Sequence, residues 1–178
     1  MTEYRIFLAS SISEEPLQHD RNAIGNLIRR INDALRSSGQ DLYLRLFMCE
    51  MEDATMQLKR KQDSYNDFIR DCHLFVGLFC QKFGDFTLEE LEIARSSGRQ
   101  ILLLLRTAEE GGVPVLPQIP AAVRSVQAAR GEYADADQLL WQLLQHLQDS
   151  PVGNLITVSG GVARVAGVPV LLNVPQQA

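Results

Sequence analysis

The chain reads as an α/β protein built on a doubly wound parallel sheet, and two observations predict this. Short apolar runs at residues 4–10, 42–49, 73–80 and 101–105 alternate with segments of helical periodicity, the pattern of repeated βαβ units. The run ILLLL at 101–105 is apolar throughout, so that strand is buried on both faces, as in a parallel sheet covered by helices. The expected architecture is therefore flavodoxin-like, with four to five parallel strands and a C-terminal β-hairpin extension.

YRIFLAS at 4–10 is the first strand, closed by the polar segment from Ser10 to Pro16. Residues 17–38 carry Ile24, Leu27, Ile28, Ile31 and Leu35 on one helical stripe. Gly39 suits the left-handed position that ends such a helix. LYLRLFMC at 42–49 is a second strand, followed by an acidic loop at 50–55 and a polar helix at 56–71. HLFVGLFC at 73–80 is the third strand, and the helix after it runs to Ser97, with Gly98 as its cap. A long loop at 107–124, rich in Gly and Pro, leads to a short segment at 121–128. The last helix, 135–148, presents Leu139, Leu140, Trp141, Leu143, Leu144 and Leu147 as a core stripe.

After Pro151 the period changes to two, and Gly160-Gly161 suits a two-residue hairpin turn. The expected organisation is an α/β domain at 1–150 and a β-hairpin tail at 151–178, open to being the start of a truncated downstream region. Three short strands are too few for a core of their own. The tail must lie on the main domain, pair with another copy, or begin a further domain.

Composition narrows the function. With 46% hydrophobic residues the 178-residue chain can bury a full core. A net charge of −5 and a pI near 5.2 argue against a phosphate-neutralising nucleic-acid surface. No apolar run approaches the length of a membrane span, and a strand follows Met1-Thr2-Glu3 directly, where a leader would stand. Three cysteines, Cys49, Cys72 and Cys80, make an odd, sparse set that points to a reducing cytoplasmic setting. Cys72-His73 lacks the further ligands of a metal site, so no metal or cofactor is expected. Neither a phosphate-loop signature, a G-x-G-x-x-G turn nor a G-x-S-x-G elbow occurs.

The most informative stretch is KFGDFTLEELEIA, residues 82–94. It leaves the third strand and opens a helix, at the sheet edge where ligands of open α/β sheets bind. Glu90 is the candidate carboxylate there, with Glu89 and Glu92 read as solvated neighbours. A structural reading competes: Thr87-Leu88-Glu89-Glu90 has capping-box spacing, with Thr87 as N-cap and Glu90 reaching back. Ser10 and Ser11 fit either a turn or a ligand-facing strand end, Arg21 fits a surface charge or a ligand contact, and Phe83 and Phe86 fit packing.

Two stretches resemble Toll/interleukin-1 receptor (TIR)-like domains, in particular a bacterial group found at the N-termini of multidomain NTPase and repeat proteins. IFLASSISEEPLQHDRNAI, 6–24, is similar in its apolar strand, Ser-Ser, acidic spacer and Asp20-Arg21. FIRDCHLFVGLFCQKFGDFTLEELEIA, 68–94, is similar in its strand, aromatic-Gly turn and acidic helix start. Phe86-x-x-x-Glu90, with Ala94 following, matches the family's aromatic-x-x-x-Glu element, Phe standing for the commoner Trp. The resemblance covers roughly residues 4–148.

It implies an NAD(P)+ glycohydrolase with Glu90 as catalytic carboxylate and Ser10, Ser11, Arg21 and Phe86 at the substrate, NAD+ being substrate rather than cofactor. It further implies self-association of like domains, the 50–53 loop helping to complete the site, a downstream regulatory domain, and a role in bacterial antiphage immunity. A non-enzymatic TIR-like self-association module and a nucleoside deoxyribosyltransferase-like enzyme stand as alternatives.

Overall fold

A computed structural model describes residues 1–10, 14–48, 65–81, 83, 85–115 and 118–175, with 85, 86, 110 and 114 described by their backbone alone. The central sheet has five strands: β1 (Thr2–Ser10), β2 (Leu42–Met48), β3 (Leu74–Phe79), β4 (Gln100–Arg106) and β7 (Ala129–Tyr133). Their spatial order is β2-β1-β3-β4-β7, every pairing parallel. The chain winds outward from β1 to β2 and then recrosses to β3. Between β1 and β3 the direction of winding therefore reverses, and this is the position at which open α/β sheets form a crevice.

The two faces bury separate apolar sets. Alternate residues of β1, β3 and β4 (Ile6, Leu8, Val76, Leu78, Leu102, Leu104) pack on α1 (Glu15–Ser37) and α5 (Ala136–Leu147). The opposite set (Phe7, Phe75, Phe79, Leu103, Leu105) packs on helical residues 65–71, here α2, on α3 (Asp85–Ser96) and on Val123 of α4 (Ala121–Arg124). Period-two alternation sends neighbouring residues to opposite layers, so every residue of β3 is buried. On the second face the rings of Phe7 and Phe75 stack at 5.8 Å, and Phe47 stacks on Phe68 at 4.2 Å.

α1 ends as its sequence predicts: Gly39 takes φ +71°, and the Gln40 N–H returns to the Leu35 carbonyl at 2.9 Å. Elsewhere the structure is richer than the expectation. The 107–124 loop contains a small hairpin, β5 (Ala108–Glu110) against β6 (Val113–Val115), closed by Gly111-Gly112. The fifth sheet strand, β7, is ARGEY, which lacks an apolar run because it lies at the sheet edge and is mostly exposed. The three short strands expected after Pro151 form one antiparallel sheet: β8 (Ile156–Ser159), β9 (Val162–Val165) and β10 (Val168–Leu171). Gly160 and Gly161, with φ +58° and +74°, make its first turn.

This tail lies on the main domain. Ala163, Val165, Val170, Leu171 and Val174 join the cluster of α1 and α5, and Arg30 of α1 donates to the Val170 carbonyl at 2.8 Å. The Leu139–Leu147 stripe is accordingly buried within the fold. No helix of the described residues is long and apolar enough to cross a membrane.

β2 is an edge strand, and an open edge invites pairing with another chain. Asn32 of α1 blocks it. Its side-chain amide donates to the Leu44 carbonyl and its side-chain carbonyl accepts the Leu44 N–H, each at 2.8 Å. Asn32→Ala is expected to lower unfolding stability by about 1–3 kcal/mol through the two unpaired backbone groups and to increase concentration-dependent association. Urea unfolding and sedimentation velocity check this; unchanged stability with unchanged association would show that Asn32 does not guard the edge.

Candidate active site

The crevice position is defined by the carboxyl ends of the strands: Ser10 on β1, Phe79 and Cys80 at the exit of β3, Arg106 on β4 and Tyr133 on β7. The starts of α1 and α3 face this edge because each helix follows its strand directly. The two connections meet: the Gln81 N–H donates to a Glu14 carboxylate oxygen at 3.2 Å. The Cys80 thiol is raised above its ordinary pKa by burial first and then by the Glu14 carboxylate to which it hydrogen-bonds. It is held as a neutral thiol rather than a nucleophilic thiolate.

Glu90 lies on the buried stripe of α3. Thr87, Glu90, Leu91 and Ala94 are spaced as one helical face, and all four are buried, Glu90 with 4% exposure. The capping-box expectation is corrected here. α3 begins at Asp85, so Thr87 stands inside the first turn and Glu90 a turn further on. The reason is tertiary: sheet contact fixes the register of the helix by Leu91 and Ala94, and its start extends back to Asp85. Glu89 and Glu92 are exposed, and Glu92 pairs with Arg95 through a hydrogen bond of 2.8 Å to Nε. A buried carboxylate is costly unless engaged; Glu90 has an interaction partner in place.

On the opposite face of the same edge stands an arrangement that sequence reasoning did not single out. Asp20 of α1 is wholly buried, and both its carboxylate oxygens accept from Arg106 Nη1 at 2.9 Å. The Tyr133 hydroxyl donates to Asp20 Oδ2 at 2.7 Å. Three elements, α1, β4 and β7, are thus tied to one carboxylate. Burial, followed by the Asp20 charge, drives the Tyr133 hydroxyl far above its ordinary pKa, so it remains a donor. Asp20-Arg21 stands in the sequence as part of the TIR-like stretch, but the partners of Asp20 lie 86 and 113 residues away, where local spacing carries no signal.

The predicted site residues are distributed as follows. Ser10 ends β1, and its Oγ is buried without a hydrogen-bond partner. Arg21 is 7% exposed, which corrects its reading as a surface charge: it lies on the inward side of α1 beside Asp20. Phe83 packs, its ring stacked on Phe79 at 4.6 Å. Phe86 belongs to α3 by its backbone, while Ser11 and the 50–53 loop lie outside the described residues. Asn66, buried near the start of described α2, is a further polar group on the Glu90 side of the sheet.

Two other features stand apart from this edge. A groove of about 780 Å³ follows α1 and β2, and several of its polar side chains are already engaged: Asn32 with Leu44, Arg36 with Asp33, Arg29 with Asn26. Cys72, at the opposite end of the sheet, is pushed up to about 11 chiefly by burial. Among the described residues, no three His, Cys, Asp or Glu side chains gather as metal ligands.

No family model matches the chain, and no curated protein matches it. Solved structures do. The chain is similar to the CMP N-glycosidase BcmB of Clostridium botulinum, with a TM-score of 0.52 and 20% identity, over 80% of this chain and 99% of that one. At this identity the likeness is one of fold.

Breaking the Asp20 tie has a calculable cost. Asp20→Ala leaves the Arg106 guanidinium without its buried partner and is expected to destabilise by about 3–5 kcal/mol. Tyr133→Phe removes one hydrogen bond to a charged group, about 1.5–3 kcal/mol. Chemical denaturation measures both, and equal, negligible losses would mean that the tie is not structural.

Proposed function

We propose that this protein cleaves the N-glycosidic bond between a base and ribose in a nucleotide, with Glu90 as the catalytic carboxylate. The observation that carries this is the burial of Glu90 on the sheet-facing stripe of α3, immediately beyond the strand that flanks the β1/β3 reversal. The fold likeness to an N-glycosidase supports the reading.

The chemistry follows from what one carboxylate can do. The C1′–N bond breaks with its electron pair leaving on the base, and positive charge develops on C1′ and the ring oxygen. A fixed carboxylate stabilises that charge and orients the ribose hydroxyls. Water then bonds to C1′ and loses a proton. Ordinary glycoside hydrolysis also needs an acid for the leaving oxygen. NAD(P)+ does not, because nicotinamide is cationic before cleavage and departs neutral. The finer reading, which rests on the TIR-like resemblance, is a TIR-like NAD(P)+ glycohydrolase, active when copies self-associate and serving bacterial antiphage defence. Ser10 and Arg21 line its substrate side, with Phe86 preceding Glu90 by one turn.

A second substrate reading rests on the fold neighbour, a CMP N-glycosidase. A neutral cytosine leaving group needs a proton, and an enzyme of the deoxyribosyltransferase kind would pair a proton donor with a second acidic or amide group that grips the base. Asn66, buried on the Glu90 side of the sheet, is a described amide of that kind.

The experiment is chromatographic. Concentrated or artificially tethered protein is incubated with NAD+, NADP+ and CMP in parallel, and free base is quantified. Nicotinamide release is expected, with Glu90→Gln lowering turnover by about 100- to 1,000-fold at an unchanged unfolding midpoint. Cytosine release alone would select the second substrate. Equal activity in the variant would remove Glu90 from the chemistry, and no base release from any substrate would favour the non-enzymatic TIR-like module.

A further inference from the structure

We infer that Arg106 is the phosphate-recognising residue of this site, so that the substrate is a 5′-phosphorylated ribosyl compound rather than a free nucleoside. The inference rests on the glycosidase reading above and goes beyond it by assigning the anion subsite.

The geometry begins with Asp20. Both of its oxygens accept from a single nitrogen of Arg106, Nη1. The Nε–H and Nη2–H groups, which form the side-on fork of a guanidinium, donate to nothing among the described residues. Such a fork matches two oxygens of a phosphate. The side chain is not idle surface: it is anchored from behind by a carboxylate with no exposure and itself retains 23% exposure. The Tyr133 ring backs it, with the guanidinium carbon 5.7 Å from the ring centre. An arginine left to solvent would lose conformational freedom on binding an anion; this one is already oriented.

Its place in the sheet matters as much. Arg106 is the last residue of β4, the strand beside β3, and the helix that follows β3, α3, carries Glu90. Along the same face the orphaned Ser10 Oγ ends β1, on the other side of β3. A hydroxyl and a guanidinium fork thus flank the exit of β3, while the candidate carboxylate comes from α3 across it. A ribose with C1′ toward Glu90 would direct its 5′ substituent away from that carboxylate, toward the guanidinium fork. Asp20 does not repel the incoming anion strongly, because it lies behind the guanidinium and is neutralised by it.

The test separates binding from turnover. Ribose 5-phosphate and ribose are titrated calorimetrically into wild type, Arg106→Lys and the double variant Asp20→Asn/Arg106→Gln. Arg106→Lys keeps the charge and loses the fork. The double variant removes both charges together and leaves no orphaned one, and circular dichroism with thermal unfolding verifies its fold. Ribose 5-phosphate is expected to bind wild type at least about 10-fold more tightly than ribose, and about 10- to 100-fold more weakly in each variant. Ribose affinity should not change. Equal affinity for the two sugars in wild type, or ribose 5-phosphate affinity unaltered by either variant, would overturn the assignment. If N-ribosyl cleavage occurs while phosphate affinity ignores Arg106, the subsite fails and the glycosidase reading stands. If phosphate affinity depends on Arg106 but no base is released, the subsite stands and the glycosidase reading fails.

Discussion

Asp20 is a carboxylate with no solvent contact, held by one guanidinium nitrogen and one phenol. Its desolvation is tolerable only because Arg106 and Tyr133 arrive together, and they do so only when β4 and β7 are in register, Arg106 beside Tyr133. The start of α1 is thereby fixed over the carboxyl edge of the sheet. From that follow the position of Glu14, its bond to the Gln81 amide, and the meeting of the two connections that flank the β1/β3 reversal. A buried charge placed here also couples the docking of the first helix to that of the edge strand β7.

The same edge receives two kinds of polar group from its two faces. The α1 face contributes Asp20, Arg106, Tyr133, Cys80 and Ser10; the α3 face contributes Glu90 and Thr87, with Asn66 nearby on α2. The division is a direct consequence of strand alternation, which sends neighbouring strand-end residues to opposite layers. It sets the Arg106 guanidinium on one side and the Glu90 carboxylate on the other, separated by the exit of one strand. A ribosyl phosphate has that polarity: a phosphate at one end and a carbon that becomes cationic at the other.

Much of the fold was legible because its signals are local. The apolar runs of β1, β3 and β4, the α1 stripe and the glycine turns each announce themselves within a dozen residues. β7 was not legible, since ARGEY is an edge strand recognised only through its pairing with β4. Glu90 could be singled out by its place after β3, yet capping-box spacing misplaced the helix start, because burial of Leu91 and Ala94 decides the register and no spacing rule reports it. Arg106 and Tyr133 were invisible as partners of Asp20, their separation in sequence being closed only by the sheet. The cleavage proposed above draws on the TIR-like resemblance and on a structural likeness that, at 20% identity, is one of fold.

The most direct measurement is a crystal structure of the Glu90→Gln protein soaked with NAD+. The ribose C1′ of the nicotinamide side should lie within about 4 Å of the residue 90 side chain, a contact distance, at the carboxyl edge between β1 and β3. Nucleotide bound instead in the α1–β2 groove beside Asn32 and Tyr43, or absent from the carboxyl edge at saturating concentration, would contradict the account.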